Sequence, residues 1–297
     1  MQRIILKDII AVLSGISFIG DEHAVVDNPI NLDKNNLNPN VLMWANAKSK
    51  AEVKHIKFGT IICPELPSEE LSPSCNYFFS SEPRKTFATI LRKFFVENSN
   101  SFISTKSSIH GSVLIGENCT INDFCVIHEN VVIGNNVSVG NNSVVLNNTI
   151  IGNDVVIGCN CTIGGVGFGY EKDDDGSYVL LPHIGNVIIK DWVEIGNNTT
   201  IDRAVMGSTI LHENVKVDNL VHIAHGVIIG KNSLIIANAM IAGSTEIGEN
   251  VWVAPSSSII NKVKIGSNAI VGLGAVVVKS VSEADKVVGN PAKSIIK

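Results

Sequence analysis

At 297 residues the chain is long enough to bury a sizeable core and to hold more than one domain. A net charge of −5 and a pI near 5.9 exclude a phosphate-tracking nucleic-acid binder as the first reading. No apolar run reaches the roughly eighteen residues of a membrane span.

The opening stretch MQRIILKDIIAVLSG is interrupted by Lys7 and Asp8, and no small-residue cleavage site follows cleanly. It reads as a short helix with Leu6, Ile9, Ile10 and Leu13 on one face, not as a signal peptide. ISFIGD, VLMWANAK and HIKFGTIICPE read as short strands, and TFATILRKFF puts Phe87, Ile90, Leu91 and Phe94 on one helical face. Residues 1–100 are therefore expected to form a small α/β domain, and nothing in them resembles a phosphate loop.

From Ile103 an aliphatic residue recurs every sixth position through Ile109, Ile115, Ile121, Ile127, Ile133, Val139, Val145, Ile151, Ile157 and Ile163. The count resumes at Ile189, Ile195 and Ile201, skips four residues to Val205, and runs on every six from Leu211 to Val277. Neither a helical period nor a plain alternating strand produces this beat. It predicts a mainly β fold, a parallel β-helix in which each hexad makes one short side and three sides close an eighteen-residue coil. The β-helix should span 101–280 with an inserted loop at 164–188, followed by a tail at 281–297. Glycine often follows the beat, as in IGEN and IGNN, and is read as serving a sharp corner that needs permissive dihedrals.

Cys119, Cys125 and Cys161 fall four places after a beat residue, where a small luminal side chain is wanted. The six cysteines thus read as reduced thiols in a cytoplasmic protein. Cys159-x-Cys161 lacks the spacing and second pair of a zinc site, so no metal is expected. The excursion GGVGFGYEKDDDGSYVLLPHIGNVI is too long for a corner, and its glycines do not fit a dinucleotide fingerprint. A loop leaving a rigid solenoid is where substrate contacts gather.

The stretch VDNLVHIAHGVIIGKNSLIIANAMIAG carries the strongest candidate, His225. If residues eighteen apart stack at roughly 4.8 Å, its neighbours are Gly207 on one side and Gly243, Asn261 and Lys279 on the other. Two glycines leave open space around an imidazole, which suits a general base, and the Gly243 N–H could face an oxyanion. On this stacking the chain offers His225 no carboxylate at contact distance. Lys279 falls roughly 14 Å along the edge, a span that suits a pantetheine arm.

IDRAV after NNTT, the GFGY excursion, LPHIGNVII, VDNLVHIAHGV and MIAGS resemble, in the same order, motifs of the UDP-3-O-acylglucosamine N-acyltransferase family of lipid A biosynthesis. The first domain resembles that family's uridine-binding domain: Trp44 precedes NAK at 46–48, and Ser49 stands where a second aromatic is expected. The ending VGLGAVVVKSV and VVGNPAKSIIK is instead similar to acetyl-CoA-dependent hexapeptide sugar acetyltransferases.

The resemblance implies a homotrimer of left-handed β-helices with acyl-transfer sites between subunits. It implies His225 as base, Gly243 as oxyanion donor and Asp218 as an active-site acid, supplied by a neighbouring subunit. The acceptor, a nucleotide-linked amino sugar, would be met by Trp44, Asn46, Asn219, His222, Phe168 and Tyr170. A donor cofactor would be met by Asn261, Gly274, Ala275, Lys279 and Lys293. The expected activity is N-acetylation, or another short acyl transfer from acyl-CoA, in cell-surface polysaccharide synthesis. The alternative is the lipid A reaction with a 3-hydroxyacyl acyl carrier protein. A zinc hydratase on the same helix would need three converging histidines, of which His222 and His225 supply an ill-spaced pair. A non-catalytic solenoid is the remaining reading.

Overall fold

The computed structural model describes residues 3–96 and 101–296, and the chain divides into two compact units, Met1–Ser99 and Asn100–Lys297. The first unit is built on a five-stranded sheet in the order Ser17–Ile19, Cys75–Phe79, Gly59–Cys63, Val41–Trp44 and Asn28–Pro29. Alternation along these strands divides their side chains between two cores. Leu42, Ile62 and Phe78 join Leu6, Ile9 and Ile90 of the helices, while Met43, Ile61 and Tyr77 face the other way. The helix Pro83–Ile90 starts on a proline whose missing N–H costs nothing there, and continues as a wider turn over Leu91–Phe95. The strand Cys75–Phe79 carries no period-two signal in CNYFF and was not expected from the sequence.

The second unit is a parallel β-helix of mostly two-residue strands arranged in three sheets of ten, nine and eight strands, the ten-stranded one ending in an antiparallel pair. Its beat residues fill the lumen: Ile121, Ile163, Ile201, Ile223, Ile241 and Ile259 are all fully buried. Burying each such side chain contributes about 1.5–3 kcal/mol, and no single one holds the coil together. The first coil is more open, with Ile103 half exposed and Ile109 and Ile115 only partly covered.

The corner chemistry differs from the sequence reading. Left-handed φ falls on the residue three after the beat, mostly asparagine, as at Asn118, Asn136, Asn232 and Asn250. Asparagine tolerates that region because its short amide bonds locally. These amides also bond along the stack, Asn232 to Asn250 and Asn250 to Asn268. The glycine directly after the beat serves close approach instead. A Cβ on Gly116 would lie 2.6 Å from the Gly134 carbonyl carbon of the next coil.

Cys119, Cys125 and Cys161 are buried in the lumen, and each thiol points at a corner carbonyl, of Gly134, Gly140 and Gly196 respectively, at 3.0–3.1 Å. Ser143 and Ser233 make the same contact with hydroxyls. Burial pushes the Cys125 and Cys161 thiols up in pKa, which keeps them protonated and unreactive.

The eighteen-residue register holds at Val132↔Ile150 and breaks twice. Across the excursion Ile150 pairs with Ile188, and a hairpin of Tyr170–Lys172 against Tyr178–Leu180 projects from the coil. Arg203 fastens the root of this hairpin: its Nε donates to the Gly164 carbonyl at 2.7 Å and its Nη2 to the Asn147 side chain at 2.7 Å. The second break lies between Ile201, which pairs with Ile223, and Ile210, which pairs with Ile228. Arg203 and Ala204 are buried in the extra turn, but Val205 is not part of the luminal core, although the six-residue count placed it on the beat. The four added residues are taken up by the corner, so counting through them misassigns Val205.

Candidate functional site

The two breaks in register meet at one pocket of about 290 Å³, lined among others by Phe168, Asp202, His222, His225, Gly243 and Asn261. His225 sits on the corner after the strand His222–Ile223. On one side it stacks on Gly243 as the hexad register requires, since Ile223 pairs with Ile241. A Cβ on Gly243 would lie 2.6 Å from His225 Cε1 and 2.7 Å from Nε2. Glycine at 243 therefore makes room for the imidazole itself. The Gly243 N–H lies in the pocket wall and donates to no other group among the described residues.

On the other side the expected neighbour Gly207 gives way to a different set, because the register there is twenty-two and not eighteen. The strand Thr200–Asp202 runs beside His222–Ile223 and brings a carboxylate into the site. Asp202 Oδ2 is 3.8 Å from His222 Nε2, and Thr200 Oγ1 is 2.8 Å from His222 Nδ1. The chain thus supplies its own acid next to the histidines. Burial raises the Asp202 pKa, while His222, His225 and His183 pull it back down.

His183, at the end of the excursion, is another residue that the sequence does not single out. Its ring stands edge-on to His225, with centroids 5.2 Å apart and planes at 79°. Gly167 closes over both rings: a Cβ there would lie 2.8 Å from His183 Nε2 and 2.9 Å from His225 Cδ2. Burial lowers the His225 pKa, the neighbouring His183 lowers it further, and Asp202 opposes them. A neutral imidazole with depressed basicity, beside an unengaged N–H, can accept a proton from a nucleophile while an oxyanion forms alongside.

The other sequence candidates are distributed unevenly. Phe168, His222 and Asn261 line the pocket, and Tyr170 packs on Phe168 with ring centroids 5.0 Å apart. Lys262, which the sequence reading passed over, also lines it. Lys279 follows Asn261 in register on the same edge and is exposed, outside the pocket lining. Asp218 and Asn219 occupy the preceding corner, where Asp218 accepts from the Asn219 and Ala237 amides and Asn219 accepts from Asn197. Gly274 lies on a corner, Ala275 turns its methyl into the lumen, and Lys293 is in the terminal strand pairing Val288. Ala275 is fully buried, its N–H donating to the Gly272 carbonyl and its own carbonyl accepting from the Ser258 amide, so it is not open to a ligand. In the first unit Trp44 is partly buried, packed with Phe87 against the edge of the core, and the Asn46 carboxamide caps its own turn by accepting from the Lys48 and Ser49 amides.

Stacked hexads with a histidine corner define a class, the hexapeptide-repeat proteins. The pattern described as bacterial transferase hexapeptide (six repeats) matches residues 130–165, 208–243 and 244–279. The chain is similar to this family over these blocks, and the second matched block contains His225 and Gly243.

Among curated proteins it is similar to a UDP-3-O-acylglucosamine N-acyltransferase from Cytophaga hutchinsonii, 55% identical over 82 residues, 28% of this chain and 24% of that one. A UDP-3-O-acylglucosamine N-acyltransferase 1 from Francisella tularensis subsp. holarctica is 52% identical over 84 residues, again 28% and 24%. The match therefore spans about a quarter of the length of these relatives. Among solved structures, a UDP-N-acetylglucosamine acyltransferase from Bacteroides fragilis superposes with a TM-score of 0.59 at 25% identity, covering 65% of this chain and 73% of that one. One from Campylobacter jejuni gives 0.58 at 20% identity with the same coverage and shows likeness of fold. The names of these relatives agree with the N-acyltransferase alternative rather than with the acetyl-CoA reading drawn from the C-terminal residues.

Proposed function

We propose that the protein is an N-acyltransferase that joins an acyl group to the amine of a nucleotide-linked glucosamine, with a 3-hydroxyacyl acyl carrier protein as donor. The observation that carries this reading is His225 packed over Gly243 inside the pocket, in a segment matched by the transferase repeat. The amine attacks the thioester carbonyl, forming the C–N bond while His225 accepts the amine proton. The Gly243 N–H meets the developing oxyanion. Collapse breaks the C–S bond, and the imidazolium returns its proton to the departing sulfur. The reading places the protein in the cytoplasm, as a homotrimer in which the Asp218–Asn219 corner of one copy faces the pocket of another. No helix among the described residues is long and apolar enough to cross a membrane.

A second reading, short acyl transfer from acyl-CoA, draws on the continuous edge of His225, Gly243, Asn261 and Lys279. The test offers both donors, with UDP-linked 3-O-acylglucosamine and a panel of other nucleotide-linked amino sugars as acceptors, and follows thiol release and amide product. Turnover with the carrier-protein donor is expected. Turnover with acyl-CoA alone, together with a raised KM for acyl-CoA in Lys279→Glu, would transfer the case to the second reading. Amide formation with neither donor would remove both.

The depressed His225 pKa gives a pH prediction. A base works only unprotonated, so kcat/KM should rise with pH, with its acid limb below the ordinary histidine value of 6.5. A limb at or above that value would contradict the burial argument.

A further inference from the structure

Among the described residues, His183 Nε2 is the buried side-chain nitrogen or oxygen without a hydrogen-bond partner. His183 Nδ1 lies 2.7 Å from the Leu181 carbonyl oxygen, so Nδ1 carries a proton and donates it. In the neutral ring Nε2 is then a bare acceptor, sealed beneath Gly167. Such an orphan costs free energy, and folded proteins rarely keep one without a use. Its surroundings indicate the use. The ring meets His225 edge-on, and together with Gly167 it confines the His225 imidazole against Gly243.

The charged and titratable groups facing His225 come from four elements. They are Asp202 from Thr200–Asp202, His222 from His222–Ile223, His183 from the excursion, and Lys262 from the corner of the neighbouring coil. One carboxylate faces three imidazoles, and charge on a neighbouring ring disfavours charge on His225 in a partly buried site.

We propose that His183 is a positioning residue for His225: standing edge-on to it beneath Gly167, it wedges the imidazole over Gly243 and sets the surroundings in which that ring accepts a proton. The inference rests on the reading of His225 as the general base. It assigns the excursion a part in the chemistry as well as in contacting substrate, and it gives a reason for a histidine where an aliphatic side chain would fill the same space without an orphaned nitrogen.

His183→Phe keeps the ring edge and removes both nitrogens, and His183→Gln keeps a polar group without a titrating one. In the full chain, the His225 Cε1–H resonance, assigned by its loss in His225→Ala, reports the titration directly. Its midpoint should move to higher pH in both variants. The acid limb of kcat/KM should follow, lowering kcat/KM at pH 6 by roughly threefold or more. An unchanged midpoint in either variant, with the melting temperature of the parent retained, overturns the proposal. A shifted midpoint with an unshifted acid limb supports the positioning and removes His225 as the base, so the two readings fail separately.

Discussion

His225→Ala should lower kcat by about 10²- to 10⁴-fold, the range spanned by removal of a positioned general base. The acceptor KM should change little, because the pocket is walled chiefly by other residues, Phe168, Met240 and Asn261 among them. The substitution removes a partly buried ring from a corner, not from the lumen, and the luminal beat at Ile223 is untouched. Stopped assays with the accepted donor at saturating acceptor give kcat directly. A variant that keeps more than a third of the parental kcat would shift the base to His222, which already has Thr200 and Asp202 beside it.

Gly243→Ala should be nearly as damaging, with kcat/KM reduced by about 10²-fold, the cost of displacing a reacting group by about 1 Å. The added methyl would fall 2.6 Å from His225 Cε1, inside the range that real contacts avoid, so the imidazole must swing away or the coil must open. Backbone strain does not confuse the result, since Gly243 does not occupy the left-handed region. Gly111→Ala is the matched control: its Cβ would meet nothing within 4 Å, and it too lies outside the left-handed region. Wild-type activity in Gly243→Ala would mean that the ring does not rest where the stacking puts it.

Much of the fold is legible in the sequence because the lumen admits only aliphatic side chains at a fixed interval, so the chain writes its own register. His225 over Gly243 follows from that register alone. The failures have one physical origin, which is that counting in eighteens holds only where no residue is inserted. The extra corner residues before Leu211 move Gly207 away from the expected position and bring Asp202 beside His222, so a carboxylate close in space looked distant in sequence. His183 lies within LPHIGNVII, but no period runs through the excursion to say which way its ring points. An isolated polar residue between Pro182 and Ile184 was the available signal. The role read for corner glycine erred differently. Composition shows that glycine is required, but only the distance to the next coil shows that the requirement is steric.

Both interruptions of the register feed the same pocket, and this has a consequence for how such a protein can change. Every coil contacts only the coils on either side of it, so an insertion at a corner leaves the lumen on both flanks intact. The regular hexads carry stability and the interruptions carry recognition, which makes the two nearly separable heritable modules. Exchanging the hairpin from Tyr170 to Leu180, which leaves Gly167 and His183 in place, would alter what surrounds the pocket while the stacked core keeps its sequence and its strength. A new acceptor specificity is then within reach of a loop transplant, without the compensating core changes that a closed globular domain demands.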